Sequence, residues 1–386
     1  MKKSLSKVAT ELKPSGIRRF FDLANTMEDV ISLGVGEPDF STPWHICENA
    51  IHSMSIGHTH YTANRGLLEL RQEICKFHKN HYKQFYDPEE VIVTIGGSEA
   101  IDLAMRALLN PGDEVIVLDP NYVAYAPSVS LSGGVVVPLQ LKEENEFKLK
   151  HEDLKKVITP KTKAMIINYP SNPTGGVMTK DDYKDIVDII EESGIYVISD
   201  EIYAELSFDQ EFASLAQFAK IKDQIIVVNG FSKAFAMTGW RLGYCLASKE
   251  VSDIMNKIHQ YVIMSAPIMS QYAGIEALKN GYEDVLMMKA DYLKRRNFLV
   301  NRLNRMGLKT NVPHGTFYVF CNISSTNLDS ETFCEELLKN HKVACVPGNA
   351  FGPSGEGFIR ISYAYSIDHI KEAMNRLEKF IKDLEN

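Results

Sequence analysis

In "NGFSKAFAMTGWRLGY" (residues 229–244), Lys233 stands just past "QIIVV" (224–228), a run that reads as a buried strand. Ser232, Thr238, Gly239 and Arg241 flank it in a glycine- and aromatic-rich turn. An ammonium among apolar groups is costly unless it is paired or neutralised. One reading is snorkelling, in which the stem covers apolar surface and the charge reaches water. The other is an amine desolvated so that it acts as a nucleophile toward a carbonyl compound. This stretch alone does not choose between them.

The elements that must position Lys233 can be read on either side of it. Short apolar runs alternate with helical patterns from about residue 91 to 246: "VIVTI" (91–95), "EVIVL" (114–118), "GVVVPL" (134–139), "AMIIN" (164–168), "IYVIS" (195–199), "QIIVV" and "RLGYCL" (241–246). Val- and Ile-rich runs without polar alternation predict strands covered on both faces, as in a parallel sheet. Tyr183, Ile186, Val187 and Ile190 recur at helical spacing and predict an amphipathic crossover helix. The fold class is therefore α/β, with a large domain around a mostly parallel sheet. A helical stretch over about 268–307, strands at "GTFYVF" (315–320) and "GFIRISYA" (357–364), and a closing helix with a stripe of Ile370, Ala373, Met374, Leu377, Ile381 and Leu384 predict a smaller α+β domain. The expected division is 1–45 as an arm and part of the small domain, 46–284 as the large domain, and 285–386 as the small one.

Ligands of open α/β sheets bind at the carboxyl ends of the strands. The residues following each run are then the candidates. "GGSEA" (96–100) follows the first, "DPNYVAY" (119–125) the second, and "YPSNPTGG" (169–176) the run at 164–168; Asp200, Glu201 and Tyr203 follow "IYVIS". Gly96 and Gly97 permit close backbone approach, and Ser98 reads as an N-cap of the next helix. Such a turn is an anion seat or simply a capped helix. Together the loops offer a phosphate seat (Gly97, Ser98), a hydroxyl and a cation (Ser232, Arg241), a carboxylate (Asp200), an amide (Asn172), an aromatic face (Tyr122) and an amine (Lys233). Pyridoxal 5'-phosphate would use every one: a lysine for its aldehyde, a carboxylate for its ring nitrogen, and cations for its phosphate.

Composition narrows the field. The chain has 386 residues and a net charge of -8, without a long basic run, which speaks against a nucleic-acid partner. No apolar run approaches a membrane span and the start lacks a signal-peptide core, so a cytoplasmic location is expected. The six cysteines are scattered and read as reduced thiols, with Cys245 a small core residue. The pairs His58/His60 and His78/His81 lack further ligands nearby, and are read as surface histidines with no metal site.

The sequence resembles the class I and II aminotransferases, pyridoxal-phosphate enzymes of the aspartate aminotransferase fold, in their bacterial and archaeal aspartate/aromatic branch. "ISLGVGEPDFSTP" (31–43), "YTANRGLLELRQEI" (61–74), "NYPSNPTGG" (168–176), "SDEIYAEL" (199–206), "FSKAFAMTGWRLGY" (231–244) and "GFIRISYA" occur in the family's order, across nearly the whole chain. The resemblance implies that Lys233 binds the cofactor's aldehyde and shuttles the substrate α-proton, and that Asp200 pairs with the ring nitrogen. It implies that Asn172 and Tyr203 serve the ring's phenolic oxygen and that Tyr122 stacks on the ring. Gly97, Ser98, Ser232 and Arg241 would hold the phosphate, with Glu99 also among the cofactor-binding residues. Tyr61 would reach the phosphate of a neighbouring subunit, implying a homodimer with shared sites. Arg360, with Asn172 and the backbone of Gly36, would hold the substrate α-carboxylate.

Two departures bear on substrate. "QYVIMSAPIMSQ" (260–271) has no cation where mammalian-type aspartate enzymes carry an arginine for a second carboxylate, and Gly230 stands where some relatives have serine. With Tyr122, Tyr125 and Tyr203 also in view, the expected reaction moves an amino group from an aromatic or other neutral L-amino acid to a 2-oxo acid such as 2-oxoglutarate. The alternative is a cysteine-conjugate β-lyase on the same fold.

Overall fold

The computed structural model describes residues 3–12 and 27–384; the rest of the expected N-terminal arm lies outside them. In chain order the strands are β1 (Ile31–Ser32), β2 (Val91–Thr94), β3 (Glu114–Asp119), β4 (Val135–Gln140), β5 (Thr162–Asn168), β6 (Tyr196–Asp200), β7 (Ile225–Gly230), β8 (Gly243–Leu246), β9 (Tyr318–Asn322), β10 (Val343–Ala344), β11 (Val346–Pro347) and β12 (Phe358–Ser362). Seven of them form one sheet in the order β2-β8-β7-β6-β5-β3-β4. All its pairings are parallel except those of β8, which runs antiparallel to both neighbours.

Alternate residues of the central strands feed two different cores, because successive strand side chains point to opposite faces. Ile116, Leu118, Met165, Ile167, Val197 and Val227 pack in one. Val115, Val117, Ile166, Ile198, Ile226 and Val228 pack in the other. Both faces are covered, which is why these strands read as unbroken apolar runs. The crossover helix Lys180–Ser193 starts at Thr179, whose hydroxyl accepts from the Asp182 amide at 3.1 Å while the Asp182 carboxylate accepts from the Thr179 amide at 2.8 Å. It ends at Gly194, with φ of 68°, and buries Tyr183, Ile186, Val187 and Ile190 as their spacing predicts.

The second layer is an antiparallel sheet in the order β11-β12-β9, packed with the helices Tyr282–Arg305, Ser330–His341 and Ile367–Leu384. The stretch expected as one helix over 268–307 is two, Ile268–Asn280 and Tyr282–Arg305, parted at Gly281. A Cβ on Gly281 would lie 2.8 Å from the Ala277 carbonyl, so the turn closes too tightly for a side chain. The strand expected from residue 315 starts at Tyr318, after Thr316 takes a left-handed φ of 64°. In the closing helix, Leu384 leaves the apolar stripe and is exposed. β1 pairs in parallel with β10, and Ile31 and Leu33 join the core of the second layer. The expected boundary at 284/285 falls within the first turn of Tyr282–Arg305; Val285 packs with the large sheet and Met288, Tyr292 and Leu299 with the small one.

Candidate active site

The carboxyl ends of β2, β3, β5, β6 and β7 open onto a cavity of about 390 Å³, closed from the other side by Gly34–Glu37 and by Tyr318 and Arg360 of the small sheet. Because β8 is antiparallel, it begins rather than ends at this edge. Arg241, two residues before it, is thereby carried into the same cavity.

Lys233 enters from the turn after β7, and its Nζ donates to the Gly36 carbonyl at 2.7 Å. It makes no ion pair among the described residues. Burial lowers its pKa to about 8; Glu37 pulls it up, while the Arg360 and Arg241 guanidiniums push it further down. Asp200 ends β6. Its Oδ2 accepts from the Tyr125 hydroxyl at 2.6 Å and its Oδ1 from the Ile202 amide at 3.2 Å. Burial raises this carboxyl, with Tyr125, the Ile202 amide and Lys233 acting against that rise. Tyr122 lines the cavity, its ring edge-on to Tyr125 at 5.5 Å between centroids.

At the other end, the helix Gly96–Leu108 begins directly after β2. Gly97 and Ser98 line the cavity with Ser232 and Arg241. Ser98 is not the N-cap expected from sequence: the helix already begins at Gly96, which puts Ser98 within the first turn. Glu99 does not line the cavity; its carboxylate accepts from the Ile95 amide at 2.5 Å and contacts His259 Nδ1 at 2.7 Å. The Arg241 guanidinium lies so close that a Cβ on Gly96 would meet its Nη2 at 2.8 Å. Gly230 has a comparable reason to be glycine, since a Cβ there would touch Gly243 Cα at 3.0 Å.

Arg360, on β12, donates from Nη1 to Asn172 Oδ1 at 2.8 Å and from Nη2 to the Gly34 carbonyl at 2.6 Å. Its guanidinium stands 4.2 Å from the Tyr318 ring centroid and 4.7 Å from that of Phe351. Its buried Nε has no hydrogen-bond partner among the described residues. The Tyr318 hydroxyl meets that of Tyr203 at 3.0 Å and leaves no room for a Cβ on Gly36, which would lie 2.0 Å away.

The cavity thus gathers Gly36, Gly97, Ser98, Tyr122, Asn172, Asp200, Tyr203, Ser232, Lys233, Arg241 and Arg360. Tyr61 is outside it and 82% exposed. Sequence reasoning missed Tyr318 and Glu37. Tyr318 is visible only once β9 is paired with β12, where it faces Ser362, two residues from Arg360. Glu37 is held by the Thr238 hydroxyl, which could be foreseen only by knowing that the segment of Gly36 crosses the lysine turn. His78, read as a surface histidine, is buried: it bonds Gln84 and Tyr244, and burial lowers its pKa to about 4.

The family model described as aminotransferase class I and II matches residues 28–377. The chain belongs to this family. The aminotransferase is similar to YugH of Bacillus subtilis, 51% identical over 98% of both chains, and to an aspartate aminotransferase of Pyrococcus abyssi, 44% identical over 96% of this chain and 97% of the relative. A solved aromatic aminotransferase from Pyrococcus horikoshii superposes with a TM-score of 0.91 at 44% identity, covering 95% of this chain and 99% of that one. The fold is that of aspartate aminotransferases and the enzyme is a transaminase, of a family that uses pyridoxal phosphate.

The residues present fit that cofactor. Asp200 is a buried carboxylate with hydrogen-bond donors but no ion pair among the described residues, which suits a protonated ring nitrogen. The head of a helix beside Arg241 suits a phosphate. The unpartnered Arg360 Nε leaves capacity for a further acceptor.

Proposed function

We propose that this aminotransferase holds pyridoxal phosphate in the cavity and moves an amino group from an aromatic or other neutral L-amino acid to a 2-oxo acid such as 2-oxoglutarate, as a homodimer. The observation that carries the substrate reading is the allotment of cations. Lys233, Arg241 and Arg360 are the cavity's cations among the described residues. Arg241 serves the phosphate, Arg360 the α-carboxylate, and Lys233 the reacting carbon. None remains for a second carboxylate, while Tyr122, Tyr203 and Tyr318 offer aromatic walls.

When bound, the cofactor supplies an aldehyde for the amino group and a ring that accepts the electrons left on the α-carbon. The protein's part is orientation and proton movement. Arg360, held by Asn172 and Gly34, fixes the α-carboxylate and so the α-carbon in front of Lys233. Lys233 Nζ, whose pKa burial lowers to about 8, would take the α-proton as a base and pass it on to the cofactor's aldehyde carbon. Asp200 would hold the ring nitrogen in its protonated form. Tyr125 fixes the direction of its carboxylate.

The test is single-turnover kinetics of the purified holoenzyme with phenylalanine, tyrosine and aspartate. Phenylalanine is expected to exceed aspartate in kcat/KM by about tenfold or more, the discrimination an unmatched charge imposes. Faster reaction with aspartate sinks the substrate reading. Pyruvate and sulfide from cysteine without any 2-oxo acid would mark a lyase instead.

A further inference from the structure

Glu99 and His259 form a buried pair behind the phosphate end of the cavity. The Glu99 side chain is 10% exposed and that of His259 0%. Glu99 lies in the first turn of Gly96–Leu108, the same turn that brings Gly97 and Ser98 to the cavity wall. A carboxylate there competes with a phosphate for the positive end of the helix. It is turned away and both its oxygens are engaged: Oε2 accepts from the Ile95 amide at 2.5 Å, and Oε1 from His259 Nδ1 at 2.7 Å. His259 comes from another helix, Lys249–Val262, and its Nε2 is buried with no hydrogen-bond partner among the described residues. The turn is tied a second time by the Thr94 hydroxyl, which donates to the Gly96 carbonyl at 2.9 Å.

We propose that His259 and Glu99 are a positioning pair for the cofactor's phosphate: His259 holds the Glu99 carboxylate, which holds the Ile95 amide and so fixes the turn that presents Gly97 and Ser98. Neither side chain touches the phosphate. The proposal rests on the reading of this turn as the phosphate seat.

The test compares dissociation constants of pyridoxal 5'-phosphate and of pyridoxal, which lacks the phosphate, for wild type, His259→Leu, His259→Asn and Glu99→Gln. Wild type is expected to prefer the phosphorylated form strongly. In His259→Leu that preference falls by about tenfold or more, the worth of one hydrogen bond to a charged group. His259→Asn, which returns a donor to the Nδ1 position, recovers it, and Glu99→Gln lies between. Pyridoxal binding and the absorbance spectrum of the bound cofactor stay as in wild type, because Lys233 and Asp200 are untouched. An unchanged preference in folded His259→Leu, or in Glu99→Gln if the leucine variant does not fold, overturns the pair. A wild type that does not distinguish the two ligands overturns the phosphate seat itself.

Discussion

Lys233 lies within the influence of two guanidiniums and two carboxylates, and burial decides its pKa of about 8. Removing the amine in Lys233→Ala leaves nothing at that point to carry the α-proton. Amino transfer from phenylalanine is expected to fall by about a thousandfold or more, with the purified variant's cofactor spectrum altered. Arg360 acts differently, through two donors held in a plane between Tyr318 and Phe351. Arg360→Lys keeps the charge and loses the fork, so KM for the amino donor rises by about ten- to a hundredfold in steady-state assays. Most residues of the cavity were legible because each follows an apolar strand in sequence. Tyr318 was not, because its place depends on the pairing of two strands far apart in the chain.

At the scale of elements, the end of β6 does two jobs. Asp200 faces the cavity, while Glu201 turns into a buried string: it accepts from Ser199 at 2.9 Å, from Ser214, and from Gln84 Nε2 at 3.0 Å, and Gln84 meets His78 Nδ1 at 2.6 Å. Burial raises Glu201 from 4.5 to about 7, against the pull of those donors. Its folded pKa lies above its unfolded one, so between these values the native state holds a proton that the unfolded chain has released. Stability therefore falls as pH rises through this window, by as much as about 3 kcal/mol, and levels off above it. His78, held neutral with a pKa of about 4, works in the opposite direction below about pH 6.5, so the measurement is a difference: in urea unfolding, the stability of wild type relative to Glu201→Gln should fall between pH 5 and pH 8. The sheet's parallel core was readable from unbroken Val/Ile runs. The reversal of β8 was not, since a short apolar strand carries no mark of its direction, and the break at Gly281 rests on a single close approach.

Two of the segments that expose apolar side chains on the molecule adjoin each other. Tyr61 and Leu68 lie in one, and Tyr261, Val262 and Met264 in the other, joined where Asn64 Nδ2 donates to the Met264 carbonyl at 2.8 Å. This surface supports the proposed dimer, with Tyr61 free to reach a second copy. Sedimentation velocity should give a dimer for wild type and a shift toward monomer for the double variant Tyr261→Asp, Met264→Asp. Such an interface is hard to see in sequence, because exposed aromatic residues there carry the same pattern as core ones.

The pairing of β1 with β10 has a consequence for how the enzyme is made. Every group proposed to hold the cofactor within one chain has left the ribosome once Arg241 has. Gly34 and Gly36, by contrast, are synthesised long before Val343 and Ala344, the partners of the strand just ahead of them, and Arg360 follows later still. The growing chain thus completes its cofactor wall well before its amino-acid clamp. That clamp is a long-range closure, which cannot form before Arg360 has been made.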